Sequence, residues 1–133
     1  MSTFKSFEDI DAWKKARKLT NKIYSLSGSG MFSKDFPLRD QIKRAGVSVM
    51  SNIAEGFDRG GTKEFVQFLS IAKGSVGEIK SQLYIALDQR YFDEQVFKET
   101  SSHANEVGKM IAGLMRYFNR QRLRVRNIND GYG

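Results

Sequence analysis

The sequence predicts a single all-α domain, an antiparallel up-down-up-down four-helix bundle. Two observations carry this. Apolar residues recur at alternating steps of three and four in separate segments, which is the period of one helix face. The chain has one proline, Pro37, so almost nothing interrupts a long helix, and the glycine-rich breaks between segments are short enough to force neighbours antiparallel. A chain of 133 residues holds one hydrophobic core.

The first helix is expected from about Glu8 to Leu26. Ser6 and Asp9 resemble a capping box, and Glu8 and Asp9 suit the positive end of the helix dipole. Ala12, Ala16, Leu19, Ile23 and Leu26 form its stripe, flanked by Trp13 and Tyr24, and Ser27–Gly30 stops it. After a loop over Met31–Phe36, Pro37 suits a first helical position. The second helix is expected from about Leu38 to Phe57, with the stripe Ile42, Gly46, Val49, Ile53 and Gly56, and Asp58–Gly61 ends it.

Thr62 is a good N-cap for a third helix over about Lys63–Gln89. Its stripe is the most regular: Phe65, Leu69, Ala72, Val76, Ile79, Leu83 and Ala86, with Phe68, Ile71, Ile85 and Leu87 as a second apolar edge. Arg90–Phe92 makes a turn and Asp93 caps a fourth helix, expected from about Glu94 to Arg120 or beyond. Its predicted stripe is Val96, Thr100, His103, Val107, Met110, Leu114 and Tyr117. Arg122–Arg126 alternates like a strand but fits a helix end as well, so the domain is placed at Met1–Arg126 and a flexible tail at Asn127–Gly133.

Gly74, Gly77 and Ser81, and Ala104, Gly108 and Ala112, read as places where backbones approach closely within the bundle or between subunits. Ten Phe, five Tyr and one Trp exceed what one small core needs. Phe65, Phe68, Phe97 and Phe118 are expected to cover more than one surface, which motivates self-association.

Composition narrows the function classes. Without cysteine there is no disulfide framework and no thiol chemistry. The single histidine, His103, reads as a hydrogen-bonded core or interface residue rather than a metal ligand or a serine-activating base. No glycine-rich phosphate loop is present, and neither enzyme activity, a metal nor a cofactor is expected. An acidic start unlike a signal peptide, together with no bilayer-length apolar run, makes a cytoplasmic protein with no membrane association the expectation.

Charge carries the strongest functional signal. Arg116, Arg120, Arg122, Arg124 and Arg126 supply five of the seven excess positive charges, with no acid between them. Arg116, Arg120 and Arg124 share one helix face, with Tyr117 and Phe118 nearby. Guanidinium groups pair with phosphates, and aromatic rings stack on unpaired bases. The plainer reading is a basic helix end that complements the dipole and aids solubility. Lys14, Lys15 and Lys18 form a second basic cluster on the first helix. Asn52 and Glu55, one turn apart, read as part of a structural polar network, bonded to each other or to polar groups of a partner helix, with a ligand role as the alternative.

The runs Phe7–Ala16, Gln41–Ser48 and Ser51–Gly56, then Glu64–Phe65, Phe68–Ser75 and Glu78, resemble the bacterial four helix bundle protein family. It is also called the intervening-sequence protein family, because some members are encoded in insertions within large-subunit ribosomal RNA genes. The resemblance implies an up-down bundle, commonly a ring-shaped homopentamer, without established enzyme activity. A related branch, the accessory variability protein of diversity-generating retroelements, binds nucleic acid and a reverse transcriptase. Met50 stands where the family usually has proline, which predicts a second helix without a proline kink, and Gly46 and Gly77 stand where alanine is commoner.

These readings converge on a non-enzymatic homo-oligomer that binds RNA, structured RNA ahead of DNA, through Lys14, Lys15, Lys18, Arg116, Arg120, Arg122, Arg124 and Arg126. The alternative is an adaptor that docks a protein partner such as a reverse transcriptase.

Overall fold

In the computed structural model the described residues are 4–132, with side chains from Phe4 to Val125. They form four helices and no strand: α1 (Asp11–Ser27), α2 (Phe36–Asp58), α3 (Thr62–Asp88) and α4 (Glu94–Tyr132). Two short 3-10 turns, Phe7–Asp9 and Gly30–Lys34, precede α1 and α2. The expected tail at Asn127–Gly133 lies outside the residues with described side chains.

Local chemistry sets the boundaries. Asp9 Oδ2 accepts the N–H groups of Lys5 at 3.0 Å and Ser6 at 3.2 Å, closing the predicted capping box. It caps the 3-10 turn, and α1 itself starts one residue after Ile10. Asp35, not the region of Pro37, caps α2 by accepting the Leu38 N–H at 3.2 Å, so the helix starts at Phe36 with Pro37 in its first turn. α2 then runs unbroken past Met50. Gly61 rather than Thr62 is the N-cap of α3. Arg90, at φ 60°, turns the chain after α3, and Asp93 Oδ1 caps α4 through the Val96 N–H at 2.9 Å. Arg122–Val125 is helical.

The stripes of α1, α2 and α3 supply the core as predicted, apart from half-buried Leu26. The α4 stripe is corrected by about one position. Thr100, Ala104, Val107, Ile111 and Phe118 are buried, while His103 and Met110 are half-buried and Tyr117 is 45% exposed.

Of the four phenylalanines expected to cover more than one surface, Phe68 and Phe97 are only half-buried. Phe65 and Phe118 both lie inside the core, rings 5.1 Å apart, and Phe57 and Phe4 continue the cluster outward at one end of the bundle. At the other end Phe32, in the segment expected to be loop, is buried against Tyr91 at 5.2 Å and Phe92 at 6.3 Å. Tyr91 donates its hydroxyl to Asp35 Oδ2 at 2.8 Å, tying the α3–α4 turn to the start of α2.

Helix contacts have a consistent register. Thr20 of α1 donates to Gly46 O of α2 at 3.1 Å; Ser48 of α2 meets Ser75 of α3 at 2.8 Å; Gly108 of α4 faces Val76 of α3. The close approaches fall on α2: a Cβ at Gly56 would lie 2.5 Å from Phe68 Cβ, and one at Gly46 3.2 Å from Thr20 Oγ1. Gly74 and Gly77, expected at such a seam, have open space within 4 Å of an added Cβ.

Candidate nucleic-acid interface

The lysine cluster lies on the seam where α1 packs on α4, and Arg116 of the arginine cluster stands at its end. Lys14, Lys15 and Lys18 surround a hollow of about 260 Å³ with Asp11 and Met110. Lys15 Nζ pairs with Glu106 Oε1 of α4 at 3.2 Å, which joins the helices and competes with an external anion. Lys14 reaches Asp11 at 3.8 Å, and Lys18 forms no ion pair among the described residues. Further along the seam an apolar hollow follows, lined by Phe4, Ile10, Met110, Gly113 and Leu114. Arg116 begins beyond it, its Nη2 3.8 Å from an added Gly113 Cβ.

The arginines follow from the length of α4. Phe118 is its last buried residue among those described, so the helix continues past its final core anchor. Arg116, Arg120, Arg122 and Arg124 are all exposed, and none pairs with a carboxylate among the described residues. Arg122 and Arg124 line a hollow of about 520 Å³ with Thr62, Gln121 and Val125 at the start of α3. Tyr117 accepts from Gln121 Nε2 at 2.7 Å and remains exposed beside the arginines. Phe118 is in the core and offers no stacking surface. Arg126 lies outside the residues with described side chains. The seam therefore aligns the lysines and Arg116, while Arg122 belongs to a different hollow from the lysines.

His103 sits on this seam between the lysines and the core. Its Nε2 is buried without a hydrogen-bond partner among the described residues. Burial lowers its pKa below the ordinary 6.5, with the Lys15 and Lys18 cations adding to the effect and the Lys15 carbonyl and Glu106 opposing it.

Asn52 and Glu55 do not bond to each other; Asn52 instead joins a polar network that reaches α3 through Ser48. Asn52 Nδ2 donates to Ser48 O at 2.8 Å and Ser48 Oγ at 3.0 Å, and Ser48 meets Ser75 across the helices. Glu55 turns outward to Arg59 at 3.1 Å. Ser48 and Ser75 line a polar groove of about 450 Å³ with Gln41, Arg44, Glu78 and Gln82. Gln82 is 8% exposed and its Oε1 has no partner among the described residues. Sequence reasoning missed this groove, although Gln41, Arg44 and Ser48 recur at helical spacing. No group of three or more His, Cys, Asp or Glu stands together among the described residues. No helix among them is long and apolar enough to cross a membrane.

The fold places the chain among small all-α four-helix bundles. It belongs to the 23S rRNA-intervening sequence protein family, whose model matches residues 8–113. The match includes Lys14, Lys15, Lys18, Asn52 and Glu55 and stops before Arg116. A crystal structure of a protein of unknown function from the S23 ribosomal protein family of Bacteroides thetaiotaomicron has the same fold. Its TM-score is 0.73 at 20% identity, over 79% of this chain and 95% of that one. No curated protein matches the chain.

Proposed function

We propose that this protein is a non-enzymatic, homo-oligomeric RNA-binding bundle that contacts phosphates through the α1–α4 seam and the arginine-bearing end of α4. The carrying observation is the run of exposed Arg116, Arg120, Arg122 and Arg124 around and beyond the last core anchor, without carboxylate partners among the described residues. Dipole compensation acts within the last turn of a helix, and the last turn of α4, which ends at Tyr132, holds no basic residue. Structured RNA is favoured over DNA because the family's description refers to an intervening sequence of 23S rRNA. The register of the helix contacts supports an up-down-up-down subunit, and the family resemblance supports a pentameric ring.

Fluorescence anisotropy with a structured RNA hairpin tests this reading. Binding is expected to weaken with salt, by about 0.9 in the log–log slope per phosphate neutralised on duplex DNA and about 0.7 on single strands. Replacing Arg120 and Arg124 with Gln is expected to flatten that slope by roughly one to two units. Absence of binding to RNA and DNA alike at low salt overturns the proposal.

A second reading, an adaptor for a protein partner such as a reverse transcriptase, is favoured by a separate surface. Ile71 and Ile85 of α3 are 54% and 45% exposed on the helix face that also carries Ser75, Glu78 and the unpartnered Gln82 of the polar groove. On that reading Ile71→Glu abolishes co-purification of the partner while Arg120→Gln leaves it intact.

A further inference from the structure

The outer face of α1 carries an aromatic feature that phosphate binding alone does not use. Trp13 is half-buried near the start of the helix. Phe7 meets its ring edge-on, with centroids 5.0 Å apart and planes at 67°, and the Arg17 guanidinium lies 5.9 Å from its centroid. The indole thus packs against Phe7 in a T-shaped contact and carries the Arg17 guanidinium over one face. Beside it is an open hollow of about 400 Å³, lined by Trp13, Lys14, Arg17, Lys18 and Asn21.

This lining has one aromatic surface, three cations and one amide, and no carboxylate. Lys14 lies 3.8 Å from Asp11. Arg17 and Lys18 form no ion pair among the described residues. Such a surface complements a flat π system joined to an anion. An apolar ligand leaves the cations unused. A fully paired duplex presents phosphates but keeps its base faces stacked inside, so Trp13 gains nothing from it. An unpaired nucleotide satisfies both: its base stacks on the indole, and its flanking phosphates meet the cations. Lys14 and Lys18 also line the adjoining hollow with Lys15, so cationic surface continues along the strand.

We propose that Trp13 is a stacking platform for an unpaired base in a single-stranded segment of RNA, with Lys14, Arg17 and Lys18 neutralising the adjacent phosphates and Asn21 bonding to the base edge. This rests on the RNA-binding reading above and adds which part of an RNA α1 engages.

Trp13 is the chain's single tryptophan, so its emission reports on this site alone. The test titrates the full chain with a hairpin bearing an eight-nucleotide uridine loop, with a blunt RNA duplex of the same stem, and with free uridine monophosphate. Anisotropy of labelled RNA is followed in parallel. The hairpin is expected to quench the tryptophan emission at the midpoint seen by anisotropy, whereas the duplex binds without quenching. Trp13→Ala is expected to weaken hairpin binding by about tenfold to a hundredfold and duplex binding hardly at all. Trp13→Phe, which keeps a ring, is expected to lose less, and Arg17→Gln tests the flanking cation without touching the Phe7 contact. Hairpin binding without quenching, or an equal loss for hairpin and duplex in Trp13→Ala, overturns the stacking site and leaves the RNA-binding reading standing. Quenching by the free nucleotide at the hairpin's midpoint overturns the strand as its occupant. No binding by any RNA overturns both.

Discussion

Gly56 closes the Ser51–Gly56 segment where α2 rests on α3, and an added methyl would lie 2.5 Å from Phe68 Cβ and 3.2 Å from Phe65 Cδ1. Gly56→Ala is therefore expected to destabilise the chain by about 1–3 kcal/mol, despite the better helix propensity of alanine. Phe118→Ala, which empties a site in contact with Phe65, is expected to cost about 3–5 kcal/mol. Urea unfolding of both variants checks the two values. His103 gives a pH signature at the same scale. Its folded-state pKa is lowered mainly by burial, so the unfolded chain takes up the proton first. That contribution is full above pH 6.5 and is lost as the pH falls from 6.5 through the folded-state value. His103→Gln is expected to remove this part of the slope in urea titrations across pH 5.5 to 7.5, a window that brackets the ordinary histidine value.

At the scale of elements, the connections are held by side chains that act on more than one segment. Asp35 caps α2 through the Leu38 N–H and accepts the Tyr91 hydroxyl from the α3–α4 turn. Asp35→Ala is expected to cost about 1–2 kcal/mol in thermal or urea unfolding, the range for a lost N-cap. Combining it with Tyr91→Phe is expected to cost less than the sum of the two, because both remove the same hydrogen bond. The α4 stripe shows where periodicity stops being decisive. Rows through His103, Met110 and Tyr117 and through Ala104, Ile111 and Phe118 have the same spacing and share Val107. Both rows carry enough apolar residues for sequence to accept either. Packing selects the second, because it puts Phe118 against Phe65 and Gly108 against Val76.

For the whole molecule, the ring clusters at the two ends of the bundle account for much of the aromatic content first attributed to a second buried surface. Among the apolar residues left exposed, Ile71 and Ile85 stand together on the outer face of α3. Ile71→Glu with Ile85→Glu is expected to reduce the assembly to single chains in light scattering, with helix content unchanged by circular dichroism; wild-type protein that is already a single chain over a wide concentration range removes the assembly from the proposal. Four helices, the core faces of three of them, the caps of α3 and α4 to within a residue, and the basic clusters were legible in the sequence, because helix period, capping chemistry and charge are local properties. Only the tertiary structure decided the rotation of α4, the separate partners of Asn52 and Glu55, the burial of Phe32 and Phe118, and the placing of Trp13 beside open cationic surface. Each depends on which residues distant in sequence meet, and contacts between helices, not the period within one, set that.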